Sequence, residues 1–496
     1  MKKRTLCLLL CALLLSSSFT ACSDQKPASG DNVPSSETGA SAEETVPAET
    51  QPEETEPVRD SADLPEKNFD GYTFRILAFQ DWNPTGAGCT LIVPEEMTGE
   101  ELNDLVYERN MAIIDKYNID YSWTVNGSAN DVISQAVNGN LDEYDLVSVM
   151  PIDGNKGALN GLYTDLYTIP YLDLTKNYWD QNMRRDLSLK GKYYTICGDI
   201  TFAEEESAML TMYNKPMADA YGIENLYDLA RDGNWTIDKM REYAGMVIND
   251  ADGNGTYDHA NDVFGFLYYN NSALLPYLAA ADTRIVVKDE NDIPVLSSDL
   301  SRVENVYSIM QELFGTTGMT IDWGTISSPV PNMRSMIENK RVLFQNMVAS
   351  FLRRNYREVE TDFGILPMPK FDEAQNTYST SYNISALMCE FVPVTAQNTE
   401  TIGIILESMC DASSALTDTY FNVCLNSKFT RDQESFEMIK LAMENIVLDT
   451  AFIYNFGNIG TTLNNSVLQG APFASSYKTV EKVAGRTIEK FVNGGE

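Results

Sequence analysis

A strand–helix–strand–helix–strand alternation between Tyr72 and Met150 constrains the fold of this chain more than any other feature. Tyr72-Thr73-Phe74-Arg75-Ile76-Leu77-Ala78-Phe79 is β-rich and alternating, bounded by Asp70-Gly71 and by Asp81-Trp82-Asn83-Pro84. The spacing of Leu102, Val106, Met111, Ile114 and Tyr117 predicts a helix over 102–117. A second strand is expected over 121–125, a helix over 132–137 and a third strand over 144–150. This order predicts a doubly wound α/β layer, whose ligands bind outside the carboxyl ends of strands, at the loops after Phe79 and Met150. Further strands are expected over 192–200, 207–213, 263–268, 284–287, 341–345 and 363–367, and the clearest later helices over 401–409 and 434–446.

With 496 residues, the chain is long enough for two to four domains, and 43% hydrophobic residues suffice for large cores. The net charge of −36 excludes nucleic acid as a partner, because its phosphates need Lys and Arg, and it disfavours anionic lipid surfaces.

Lys2, Lys3 and Arg4 precede an apolar run over 6–15, too short to span a bilayer, and small residues lead to Cys22. Phe19-Thr20-Ala21-Cys22 resembles the bacterial lipobox. That resemblance implies a signal peptide over 1–21, acylation of Cys22 (a palmitate-type anchor) and a lipoprotein held at the extracytoplasmic face of the cell membrane. The alternative is an ordinary secretory signal cut near Ala21. Residues 22–67, rich in Ser, Thr, Pro, Ala and Glu, are expected to form a disordered acidic linker. Once Cys7, Cys11 and Cys22 are assigned to the signal and anchor, Cys89, Cys197, Cys389, Cys410 and Cys424 remain, without any CxxC pair. Buried free thiols are the expectation.

Gly198-Asp199-Ile200, Met212-Tyr213-Asn214-Lys215, Gly233-Asn234-Trp235-Thr236, Asp262-Val263-Phe264-Gly265-Phe266 and Phe363-Gly364-Ile365-Leu366-Pro367-Met368-Pro369-Lys370 follow one another in an ordered series. In that order the chain resembles the extracellular solute-binding proteins of sugar-type ABC importers, the maltose-binding-like class. The resemblance covers about 69–454 and implies a two-lobe α/β fold of the periplasmic-binding-protein type (type II), with several chain crossings between lobes. Crossings are expected near Ser207, Gln345 and Asp411. The first lobe would be 68–206 plus 345–411 and the second 207–344 plus 412–496. The resemblance further implies a monomer that captures a carbohydrate and delivers it to an ABC permease. The alternatives are a binding protein for another polar solute or peptide, and a surface glycosidase.

A sugar cleft needs flat aromatic faces together with carboxylates or amides for the hydroxyls. Asp81, Trp82, Trp179, Asp199, Glu206, Tyr268, Asn346 and Tyr382 are the candidates, on loops expected at the cleft or flanking a crossing. Trp235 is assigned to packing, with Thr236 as a helix N-cap. Glu204-Glu205-Glu206 reads as a surface charge run, with Glu206 alone a hinge-side candidate. Adjacent residues cannot supply two glycosidase carboxyls facing each other across a bond. The single His259, with no GxSxG, HExxH or P-loop, leaves the usual hydrolase and phosphoryl-transfer schemes without their parts, so no enzyme is expected. Asp250, Asp252, Asn254, Thr256 and Asp258 match the first nine positions of an EF-hand-type loop, with Gly255 at the sharp turn. The twelfth position is Asn261, so Asp262 is the expected substitute ligand for a structural Ca²⁺.

Overall fold

The computed structural model describes residues 58–79, 92–94 and 96–494. The expected signal, Cys22, Asp81, Trp82 and Cys89 lie outside the described residues.

The chain contributes β1 (Tyr72–Ala78), β2 (Ile119–Val125) and β3 (Leu146–Val149), then β4 (Met209–Asn214), β5 (Phe264–Tyr268), β6 (Val286–Lys288), β7 (Pro294–Leu296), β8 (Thr320–Asp322), β9 (Val342–Val348), β10 (Phe363–Leu366) and β11 (Cys389–Phe391). One sheet has the order β11-β3-β1-β2, a second β10-β4-β9-β5-β8, and β6 pairs only with β7. In the first sheet β1 runs parallel to both β2 and β3, while β11 is antiparallel to β3. The alternation anticipated between Tyr72 and Met150 is therefore a doubly wound layer. Asp70 and Gly71, both at positive φ, turn the chain into β1. The helix Glu101–Tyr117 ends at Asn118 in the left-handed region, where Asn is tolerated as a C-cap.

In the second sheet β9 is antiparallel to β4 and parallel to β5, and every residue of β4, β5 and β9 is buried. Sheets covered on both faces read as continuous apolar runs, which explains the legibility of Val342-Leu343-Phe344 as a strand. The stretch 192–200 does not join a sheet as a strand. It makes only isolated bridges, among them Ile196 to Glu390 and Gly198 to Trp179.

Two chain segments pass between the lobes side by side. The Met209 N–H donates to Ser381 O at 3.0 Å, the Asn383 N–H to Ser207 O at 2.8 Å, and Ala208 bridges Tyr382. The second crossing differs from the expected one. Gln345 sits inside β9, between β4 and β5, and β10 still belongs to that sheet, so the chain returns only at 381–383. An apolar strand carries no mark of its lobe; only pairing assigns it. Helix Thr399–Asp411 then packs on helix Glu101–Tyr117, and helix Gln433–Met443 on β10, so the chain passes once more between lobes over 412–432.

Folded structure also begins earlier than the expected linker boundary at 67. Arg59 pairs with Asp199 and donates to Cys410 O at 2.6 Å, the Ala62 N–H donates to Asp411, and Lys67 pairs with Glu400. These anchors are polar, so hydrophobic periodicity gives no sign of them. Among the described residues no helix is long and apolar enough to cross a membrane.

Candidate functional site

The carboxyl edge of the first sheet opens on a cavity of about 340 Å³ lined by Phe79, Ser128, Asn130, Asp131, Ser134 and Asp153, among others. Helices Ala129–Gly139 and Pro151–Leu159 begin here, directly after β2 and β3. Asn130 is oriented from both sides: its Nδ2 donates to Asp153 O at 2.7 Å, and Tyr163 donates its hydroxyl to Oδ1 at 2.8 Å. Burial raises the Asp153 carboxyl, against the pull of Lys156.

A larger cavity of about 740 Å³ shares Asp153, Lys156 and Asn160 with the first. Its far wall is the turn 454–458 and the helix Phe473–Val492, which packs against helix Ser301–Gly315. Asn455, Gly457 and Asn458 all have positive φ on the cavity wall, a conformation that glycine adopts freely and asparagine tolerates. A Cβ on Gly457 would meet Ala484 N at 2.7 Å, so only glycine fits there.

The carboxyl edge of the second sheet is aromatic. Tyr269 follows β5, Trp323 follows β8 and Phe351 lies just beyond β9. Tyr269 stacks on Trp323 with centroids 4.8 Å apart, and Phe351 lies 5.7 Å from Tyr269 and 5.8 Å from Trp323. All three rings are half-buried. Asp322 accepts from Gly324 N at 2.8 Å and so caps the turn that carries Trp323. Sequence reasoning named Tyr268, one residue short. Tyr268 stacks on Phe266 and lies 4.4 Å from Phe314, inside the core. Successive strand side chains point to opposite faces, so one position separates core from edge.

The other expected ligand residues are mostly engaged within the protein. Trp179 is buried and donates Nε1 to Glu407 Oε2 at 3.2 Å, while Tyr178 donates to the other oxygen. Burial pushes the Glu407 carboxyl up to about 7. Asp199 is the partner of Arg59. Glu206 accepts from Arg353 Nε and Arg354 Nη2, both at 2.7 Å, which ties the first crossing to helix Ser350–Arg354. Asn346 is fully buried opposite Thr211, with neither amide atom hydrogen-bonded among the described residues. Tyr382, on the second crossing, donates to Asp180 Oδ2 at 2.8 Å.

Glu204-Glu205-Glu206 is not a surface run. Glu204 is 4% exposed with Oε1 unpartnered, and Oε2 of the half-buried Glu205 is also unpartnered among the described residues. Burial, then Glu205 and Asp180, holds the Glu204 carboxyl well above its usual range; burial, then Asp199, pushes Glu205 to about 8. The preceding residues gave no pattern to separate a buried acidic turn from an exposed one.

In the acidic loop, Asp250, Asp252 and Asp262 bring carboxylate oxygens within 4.8 Å of one another. Asp262 is fully buried and accepts from Ala251 N at 2.9 Å and Asp258 N at 2.8 Å. Asp250 accepts from Gly255 N through Oδ2, while its buried Oδ1 has no partner among the described residues. Asn254 Oδ1 accepts from Thr256 N at 2.7 Å, and Asp258 Oδ1 from Ala260 N at 2.8 Å. The three oxygen-rich Asp side chains suit a hard cation.

No protein-family model and no curated protein sequence matches the chain. Solved structures do. The galacto-N-biose/lacto-N-biose I-binding protein of an ABC transporter from Bifidobacterium longum superposes with TM-score 0.55 at 13% identity, covering 86% of this chain and 99% of that one. A sugar transporter structure from Rhizobium etli gives TM-score 0.54 at 16% identity, over 85% and 99% of the two chains. An ABC substrate-binding protein from Listeria monocytogenes gives 0.53 at 13% identity, over 86% and 99%. The chain thus has the two-lobe α/β fold of ABC-transporter substrate-binding proteins, the fold that its ordered motifs implied.

Proposed function

We propose that this chain is the substrate-binding component of an ABC importer and captures a carbohydrate between its lobes. The observation that carries the reading is the pair of carboxyl edges: Tyr269, Trp323 and Phe351 offer flat apolar faces, while Asn130, Asp131 and Asp153 offer polar groups for hydroxyls. In open α/β sheets ligands bind outside those edges. The lacto-N-biose and cycloalternan complexes of two proteins sharing the fold favour a sugar over a peptide. Closure of the lobes around ligand would form the surface that a permease recognises. The reading makes the chain a monomeric binding protein and not an enzyme.

A thermal-shift screen of mono- and oligosaccharides, with peptides as a second arm, tests this. A ligand at about 100 Kd adds about 2.7 kcal/mol of stability. Stabilisation by peptides alone would discard the carbohydrate, and product release from a polysaccharide would favour a surface glycosidase. Trp323→Ala should weaken sugar binding by about 1–2 kcal/mol, roughly 5- to 30-fold in Kd, read by calorimetry. Tyr268→Phe should leave Kd unchanged.

Acylation of Cys22 at the extracytoplasmic face of the cell membrane would keep the receptor near its permease, with 23–57 as a spacer. Incorporation of labelled palmitate that Cys22→Ser abolishes is the expected result; incorporation that survives the substitution removes the anchor. The loop Asp250, Asp252, Asn254, Thr256, Asp258 and Asp262 would hold a structural Ca²⁺, for which the unpartnered Asp250 Oδ1 is the supporting observation.

A further inference from the structure

Cys197 and Cys389 lie 192 positions apart in sequence, yet their sulfur atoms are 3.0 Å apart. The register explains the approach. The Ile196 N–H donates to Glu390 O at 2.8 Å and the Glu390 N–H to Ile196 O at 3.1 Å, a narrow antiparallel pair. Cys197 and Cys389 are the next residues across, at a non-hydrogen-bonded position, where Cα atoms stand about 4.5 Å apart. That separation falls inside the range of about 4.4–6.8 Å that a disulfide spans. Cys410 and Cys424 are also buried, but neither has a sulfur partner among the described residues.

We propose that Cys197 and Cys389 form a disulfide when the chain folds in an oxidising environment. The position in the chain gives the bond its consequence. Residues 198–388 contain β4 through β10, so the whole second sheet lies within the loop that the bond closes. The two crossing segments that run side by side, 207–209 and 381–383, would then leave from one covalent base in the first lobe. The bond would hold the base of the hinge and leave the lobes free to move beyond it.

The step balances with an external disulfide as oxidant. One cysteine thiolate attacks a small-molecule disulfide RSSR and releases RSH; the second attacks the mixed disulfide and releases another RSH. Two electrons pass to RSSR, and the two thiol protons end on the two RSH molecules. Both cysteines are buried, at 4% and 0% exposure, and burial raises both thiols. Exchange in the folded state is therefore slow, and the bond belongs to the folding process. The inference does not depend on the ligand of the cleft.

The test folds the chain in a buffer of reduced and oxidised glutathione, blocks free thiols with N-ethylmaleimide after denaturation, and maps peptides without reductant. The expected result is one cross-linked pair joining the Cys197 and Cys389 peptides, lost on reduction, with Cys410 and Cys424 alkylated. Alkylation of both Cys197 and Cys389 in chain of native circular dichroism would overturn the proposal, as would a cross-link to any other cysteine. A second measurement needs no map: reduction should lower the Tm of the wild-type chain and leave that of the Cys197→Ala/Cys389→Ala double variant unchanged. Equal Tm values for oxidised and reduced wild type would refute the role at the hinge base.

Discussion

Two acidic stretches, 204–206 at the hinge and 250–262 in the outlying loop, build opposite environments from the same kinds of side chain. At the hinge burial raises Glu204 and Glu205, with the charge of Glu205 adding to the rise of Glu204 and that of Asp199 to the rise of Glu205. Only Glu206 has cations, Arg353 and Arg354, against it. In the loop, backbone amides and the Asn261 side chain converge on the carboxylates, and Asp258 is held below its ordinary range by that amide. The difference shows that solvation and donors, not local acid density, decide whether a cluster retains its charge.

The largest effect is expected from the one hinge carboxylate with cationic partners. Glu206→Ala leaves Arg353 and Arg354 without their carboxylate in a region where Arg354 is 8% exposed. Breaking such a buried pair costs about 3–5 kcal/mol. Urea unfolding should show this loss, and a loss below about 1 kcal/mol would mean that the crossing is not clamped by this pair.

The pH dependence of stability should separate the stretches by sign. Glu390, buried beside Ser148 on β11, is pushed up to about 8 by burial, as is Glu205, from an ordinary 4.5. A carboxyl with a raised folded pKa binds its proton more tightly when folded. Its stabilisation is therefore fully present below about 4.5 and is lost as pH rises through about 8. Each such group gives a slope of up to about 1.4 kcal/mol per pH unit in that window. Asp258 has the opposite sense: its contribution is present above its ordinary value of 3.8 and is lost at lower pH. Chemical denaturation from pH 4.5 to 8 should show stability falling, with Glu390→Gln flattening the fall. A stability that rises over this window would contradict the buried-carboxyl account.

Much of this arrangement was legible in the chain, and the failures have definite causes. Strands β1 and β2 follow from alternation, because each carries a partly solvated side, whereas the fully buried β11 has none and was not anticipated. The doubly buried β9 reads equally well as a strand of either lobe, so Gln345 was placed at a crossing although pairing puts it mid-sheet. Tyr268 and Tyr269 differ only in which face of β5 they follow, and a strand whose residues are all buried has no polar alternation to tell them apart. Glu204-Glu205-Glu206 has the composition of a surface, but Glu204 and Glu206 are buried, and the crossing that they lead into pairs with 381–383, far away in sequence. The acidic loop was legible because its geometry is local: the glycine at 255, at φ +79, and the oxygen spacing are contained within a dozen residues.

That locality makes the loop the place where the contrast can be sharpened with the smallest perturbation. Here the carboxylates retain acceptor capacity, since Asp250 Oδ1 is buried and unpartnered among the described residues, while Asp262 already accepts two backbone amides. Adding Ca²⁺ at about 100 Kd should stabilise the chain by about 2.7 kcal/mol, and a chelator should reverse it. Asp250→Asn should remove most of this response while keeping the Gly255 N–H bonded through the amide oxygen. Asp262→Asn should remove it as well and also lower metal-free stability, because one of its two acceptor oxygens becomes a donor facing a backbone N–H. The hinge acids provide the control: Glu204→Gln should leave the Ca²⁺ response intact. If Glu204→Gln abolishes the response and Asp250→Asn spares it, the cation binds at the hinge, and the assignment of the two stretches is reversed.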